Sequence, residues 1–188
     1  MGTRHHPRDL VGSDAGAAAV EFALIGTVLM LFLIGIFEYA FVMFVDGTLE
    51  SAVLVASRYG ITGSTEEGVS REDVIRDIIL QRIHNLIPAE KLTIDTKVYQ
   101  NFGQIGQPEP FTDTNHDGAH QDGEPFTDVN GNGVWDDDMG AAGLGGPGDV
   151  VLYTVEYIGT ALTGMFEPII GEIHHHAAVA VRNEPFGE

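Results

Sequence analysis

The chain has no cysteine, and nine Lys and Arg stand against 28 Asp and Glu, for a formal net charge of −19. Without thiols there is no disulfide and no thiolate metal site. With so few bases, nucleic acid and anionic lipid surfaces are not bound through general electrostatics. No nucleophile–base grouping, phosphate-binding glycine loop or HExxH pattern occurs, so the sequence reads as a non-enzyme. It also lacks a small-residue signal-peptidase site after its apolar run, which argues against an ordinary cleaved signal.

What is present begins with that run. Ala17 to Phe37 is 21 residues whose only charge is Glu21. About 20 apolar residues, at 1.5 Å each, cross a hydrocarbon core of about 30 Å. Arg4 and Arg8 precede it, so the positive-inside rule keeps the N-terminus in the cytoplasm and sends the C-terminal bulk outward. Leu49, Ala52, Val53 and Ala56 continue one helical face, predicting a single helix to about Arg58, ended by Gly60 and Gly63. Glu38 reads as an interfacial acid at the outer boundary. Gly26 and Gly35 thin the helix, as small residues do where membrane helices meet.

A carboxylate at the mouth of a span is costly. The segment Gly16-Ala17-Ala18-Ala19-Val20-Glu21-Phe22-Ala23-Leu24 resembles the cleavage region of type IV-type prepilins. In that family a prepilin peptidase cuts after a glycine, and a glutamate is the fifth residue of the mature chain. The resemblance implies cleavage after Gly16, Ala17 as the new N-terminus, and Glu21 as the carboxylate that meets its ammonium. GAAAVEFALI, GIFEYAFVM and the ending SRYG narrow the resemblance to TadE-like proteins of tight-adherence (Flp) pilus systems, with a C-terminal strand of similar kind at 177–186.

The remainder reads as a small α+β domain. Ser70-Arg-Glu-Asp73 is a capping-box variant opening a helix whose apolar face is Val74, Ile75, Ile78, Ile79, Ile83 and Leu86, before Pro88. This face is expected to cover the projecting stripe of the first helix. Residues 91–102, 149–159 and 172–184 alternate and read as a three-stranded antiparallel sheet. His174-His175-His176 puts two imidazoles on one strand face without a third ligand, a poor zinc site.

Between the first two strands lies a repeat of period 15. EPFTDTNHDGAHQDG (109–123) and EPFTDVNGNGVWDDD (124–138) share eight of 15 positions, and 109–138 holds nine acids and no Lys or Arg. Asp113, Asn115, Asp117, Gly118 and Glu124 fall at positions 1, 3, 5, 6 and 12 of an EF-hand loop. Ala119 would give its carbonyl and Gln121 would act at position 9. In the second copy Asp128, Asn130, Asn132 and Gly133 keep positions 1, 3, 5 and 6, Val134 would give its carbonyl, and Asp136 stands at position 9. Position 12 is Met139; Asp137, Asp138 or a shared acid would have to replace it. All-oxygen donors favour Ca²⁺. The pattern resembles the repeated loops of dockerins, and Phe111, Phe126 and Trp135 are expected to peg the loops together.

The expected organisation is a cytoplasmic leader (1–16), a transmembrane and projecting helix (17–60), a helix and first strand (61–107), a calcium-binding insertion (108–148) and the C-terminal strands (149–188). The resemblance implies a single-pass inner-membrane, pilin-like component of a tight-adherence pilus assembly or secretion system. Its outer domain would be periplasmic or extracellular. Its partners would be the membrane, prepilin peptidase and other pilin-like subunits in a homo- or hetero-oligomer. Two other roles stay open: a structural subunit of an extracellular filament, and an uncleaved, membrane-tethered calcium-dependent adhesion module.

Overall fold

The structure is a computed structural model that describes residues 14–63, 68–83 and 86–185. Arg4, Arg8 and all but the last three residues of the expected leader lie outside the described residues. So do Phe186 and most of the loop expected at 64–69.

One helix dominates. α1 runs from Asp14 to Ile61, 48 residues, or about 72 Å at 1.5 Å per residue. Among the described residues it is the one helix long and apolar enough to cross a membrane, by length and composition. Its first half is bare: Val20, Phe22, Leu24, Ile25 and Val28 are all well exposed. Its second half carries the domain, and Val45, Leu49, Ala52, Val53 and Ala56 are fully buried. The stripe read from the sequence is therefore the seam between α1 and the rest.

α2 (Arg71–Ile83) covers that seam with Ile75, Ile79 and Ile83. The Ser70 hydroxyl caps it, accepting from the Asp73 N–H at 3.1 Å while donating to the Asp73 carboxylate at 2.7 Å. Burying each Leu, Ile or Val of the seam stabilises the fold by about 1.5–3 kcal/mol.

The sheet has four strands, not three, in the order β2-β1-β3-β4, with every pairing antiparallel. β1 is Leu92–Tyr99, β2 Ala141–Ala142, β3 Val150–Gly159 and β4 Ile173–Arg182. The additional strand, β2, is two residues long, pairing at Lys97↔Ala142 and Val98↔Ala141. It lies in a glycine-rich tail and is too short to carry any periodic signal. Val151, Tyr153 and Val155 of β3 and Ala177 of β4 face the helices and join the core. A four-residue helix, α3 (Glu167–Ile170), occupies the connection from β3 to β4.

Gly60 does not end α1 but lies within its last turn. A Cβ there would collide with the Tyr153 hydroxyl, so the glycine admits the buried tyrosine against the helix. On the opposite sheet face Tyr99, Val150 and Met139 form a second small core with Ile105, Val129 and Leu152. Met139 is thus an anchor of the insertion on the sheet, which accounts for an apolar residue at loop position 12.

Beside that core the Lys97 ammonium meets Asp138 at 2.8 Å, and the Tyr99 hydroxyl meets the same carboxylate at 3.0 Å. Burial alone would raise the Asp138 carboxyl, but Lys97, the Gly140 N–H and Tyr99 outweigh it and hold it below its ordinary 3.8. The bond to Asp138 holds Lys97 above 10.5. The stabilisation is complete between those two values. It is lost as pH falls through the lowered Asp138 value or rises through the raised Lys97 value. The denaturation midpoint of the full chain in detergent should drop on acidification below pH 3.8. Asp138→Asn should lower the neutral-pH midpoint and shrink that acid drop; an unchanged acid drop would remove the pair from the account.

Candidate functional site

Gly16, Ala17 and Glu21 lie on one uninterrupted stretch of α1, exposed and away from the domain. No hydrogen bond or ion pair of Glu21 is found among the described residues, so its carboxylate is open to a partner outside this set. A Cβ at Gly26 or Gly35 would meet nothing within 4 Å among the described residues, so packing against those residues does not require either glycine.

The acidic insertion is folded, and its two copies are arranged as equivalents. Phe111 and Phe126 face each other in an antiparallel bridge. The Thr112 N–H donates to the Pro125 carbonyl and the Thr127 N–H to the Pro110 carbonyl, both at 2.8 Å. His120 and Trp135, equivalent residues of the two loops, stack at 4.5 Å between centroids. Phe111 meets both rings edge-on, and Phe126 meets His120. Aromatic contacts of this kind are worth about 0.5–1.5 kcal/mol each beyond their burial. The three expected pegs are joined by a histidine that occupies a non-ligand position.

Each loop curls around its first aspartate. Asp113 accepts from the N–H groups of His116, Asp117 and Gly118, at 2.6, 3.3 and 2.9 Å. Asp128 accepts in the same way from Gly131, Asn132 and Gly133. Gly118 and Gly133 take φ values of +80° and +82° at the sharp turn, a conformation open to glycine. In the first loop Asn115 and Gln121 both reach the Asp117 carboxylate. In the second, Asn130 and Asn132 reach the same Asp136 oxygen, at 2.8 and 2.6 Å. Thus Asp113, Asn115, Asp117 and Gln121 draw together, as do Asp128, Asn130, Asn132 and Asp136. The Ala119 and Val134 N–H groups donate to Asp117 and Asn132.

These heads are hard oxygen donors, and an Asn or Gln amide turned over presents oxygen where it now presents nitrogen, so the donor chemistry fits Ca²⁺. Carboxylates are few in each loop, and among the described residues no three His, Asp or Glu side chains form a metal cage. The fit therefore rests on mixed carboxylate, amide and carbonyl oxygens.

The sequence reading missed Glu109. It is fully buried, accepting from Val129 at 2.7 Å, Asn130 at 3.3 Å and Asp136 at 3.2 Å, all backbone N–H groups of the second loop. Glu124 does the same for the first loop, accepting from Thr114 at 2.8 Å and Gln121 at 3.0 Å, and from the Thr114 hydroxyl at 2.9 Å. The backbone N–H of Thr114 foremost, with the other donors and against burial, holds the Glu124 carboxyl below its ordinary value. Each repeat begins with a glutamate, and each glutamate closes the other repeat's loop. The repeat itself carried this signal, since Glu109 is the counterpart of Glu124.

Two further acids matter on α1. Glu38 is buried, accepting from the Leu162 and Thr163 N–H groups at 2.7 Å and from the Thr163 hydroxyl. The carboxylate expected at the outer boundary ties the β3–β4 connection to the helix, a partnership the sequence did not show. Asp46 holds the buried His175 through Nδ1 at 2.7 Å, and His175 stacks on Tyr157. His174 and His176 stand exposed on the other face of β4.

Trp135 is the chain's single tryptophan, and its indole N–H donates to the Glu109 carbonyl at 2.9 Å. In Glu109→Ala three donors of the second loop lose their acceptor, at about 1–3 kcal/mol for each buried group left unmet. Trp135 emission should shift to the red while far-UV circular dichroism holds. Unaltered emission would show that Glu109 does not hold the loop.

No curated protein and no solved structure matches the chain. Residues 16–58, which are α1 from Gly16 to Arg58, match the family model described as TadE-like protein.

Proposed function

We propose that this chain is a pilin-like membrane component of a tight-adherence pilus assembly or secretion system. The observation that carries this is the coincidence of the TadE-like match with Gly16, Ala17 and Glu21 at the head of a bare apolar helix. In this reading prepilin peptidase cuts after Gly16. The Ala17 ammonium that results is mostly charged at neutral pH, with a pKa near 8. It and the Glu21 carboxylate are each costly in lipid, and together they offset much of that cost, within one subunit or between neighbours. α1 crosses the inner membrane once, and the domain lies on the periplasmic or outer side. Structural work in assembly, rather than catalysis, is its role.

Calcium is the proposed companion of the insertion. Asp113, Asn115, Asp117, Gln121 and the Ala119 carbonyl would hold it in the first loop. Asp128, Asn130, Asn132, Asp136 and the Val134 carbonyl would hold it in the second. Bound cation would neutralise carboxylates that otherwise repel one another. Glu109 and Glu124 act beside these donors by fixing each loop's backbone; Glu124, expected at position 12 as a ligand, has both carboxylate oxygens engaged, by Thr114 and by Gln121. The folded, two-loop insertion also supports a second reading, a calcium-dependent binding module tethered by α1.

N-terminal sequencing of the protein from membranes tests the first proposal. A start at Ala17 is expected, and Glu21→Ala should lower the level of assembled appendages. An intact Met1 with normal appendages in Glu21→Ala would leave only the tethered module. For calcium, titration of the full chain should change Trp135 emission with a midpoint in the range of about 10⁻⁴–10⁻³ M seen in extracellular modules. No change, and no heat, at several times that concentration would end the calcium reading.

A further inference from the structure

The acids of α1 divide its surface unevenly. Between Glu21 and Asp46 the sole charged residue is Glu38, and it is covered. Thr27 returns its hydroxyl to the Ala23 carbonyl at 2.7 Å. Everything α1 exposes from Phe22 to Phe44 is otherwise apolar or, at Tyr39, aromatic, with Tyr39, Met43 and Phe44 at more than half exposure. From Phe22, 20 residues at 1.5 Å cover the hydrocarbon thickness of about 30 Å and reach Phe41. Begun at Ala17 the same length reaches Ile36, so Glu38, and whatever covers it, lies at the outer edge of the bilayer rather than far above it.

What covers it is the connection from β3 to β4. This segment exposes Leu162, Met165, Ile169 and Ile170, with Ile169 at 77%. It has no Lys or Arg between Tyr157 and His174. Loop backbone normally shuns lipid because its N–H groups need partners, but here most of them have one. Leu162 and Thr163 donate to Glu38, and Gly164 to the Ala161 carbonyl. Ile169 and Ile170 donate to Phe166, and Gly171 to Glu167.

We propose that residues 160–171 form a second membrane contact, dipping Leu162, Met165, Ile169 and Ile170 into the outer leaflet beside α1, with Glu38 as the tie that fixes their depth. The occupant of this apolar patch is the hydrocarbon edge of the bilayer that α1 spans, because Glu38 ties the segment to α1 where its exposed apolar stretch nears its end. Glu167 is the one charge of the segment and it is exposed, so it stays at headgroup level while the apolar side chains enter; with no base the contact is not a headgroup-charge contact. The proposal rests on α1 spanning the membrane.

The chain's lack of cysteine makes single-cysteine labelling clean. Ile169→Cys, Phe32→Cys and Val134→Cys would each carry a fluorophore in the full-length protein, reconstituted into phosphatidylcholine vesicles. Quenching by doxyl-labelled lipid is compared with quenching by aqueous iodide. The label at position 169 should follow that at 32, quenched several-fold more by lipid than by iodide, with 134 showing the reverse. Adding Glu38→Ala should move the label at 169 toward iodide. If 32 is quenched by lipid while 169 behaves like 134, the loop contact is wrong and the span stands. If 169 is shielded from both quenchers, a second copy covers the patch and the lipid contact is overturned. If 32 is itself open to iodide, the span fails and the contact with it.

Discussion

Buried carboxylates in this protein are satisfied by backbone N–H groups, and the arrangement of the α+β domain follows from that constraint. With 28 acids and nine bases, most acids have no cation to pair with. Glu38, Glu109 and Glu124 are all buried, and no Lys or Arg pairs with any of them among the described residues. Each is instead met by two or three peptide donors from a segment with no regular ladder to satisfy them. A charged acceptor makes a stronger bond than a neutral one, by roughly twofold. One side chain therefore replaces a turn of secondary structure, and irregular segments acquire a fixed shape.

The two ends of the domain use this device differently. At the end nearer the bare half of α1, Glu38 draws a distant loop onto the helix across 124 residues of sequence. At the far end the glutamates work within a pair of 15-residue units, and an aromatic stack fills the space between them. Between the two ends lies conventional packing, with α1 and α2 on one sheet face and the Tyr99–Met139–Val150 core on the other. Lys97 and Asp138 form one of two charge pairs found among the described residues, and it is placed where the insertion meets the sheet.

Much of this was legible in the sequence because it follows a period. The stripe Leu49, Ala52, Val53, Ala56 and the face Ile75, Ile79, Ile83 repeat at helical spacing, and the three long strands alternate. The 15-residue repeat announced two equivalent loops. What escaped has no period. β2 is a pair of alanines, recognisable only once β1 offers them an edge. Gly60 read as a helix stop, whereas the residue that requires it, Tyr153, is 93 positions away. The partners of Glu38 escaped because they are main-chain groups, which every residue but proline supplies and which a sequence therefore cannot single out. The metal expectation follows from donor spacing alone, and the mixed oxygen sets leave it as a proposal.

The exchange of glutamates between the two repeats bears on how such a unit could arise. A single 15-residue copy has a loop but lacks the acid that closes it, since that acid heads the neighbouring copy. A lone ancestor would have needed a second polypeptide to supply the missing carboxylate and the opposing ring. Duplication within one gene would have turned an association between molecules into an association within one, and made the halves inseparable thereafter.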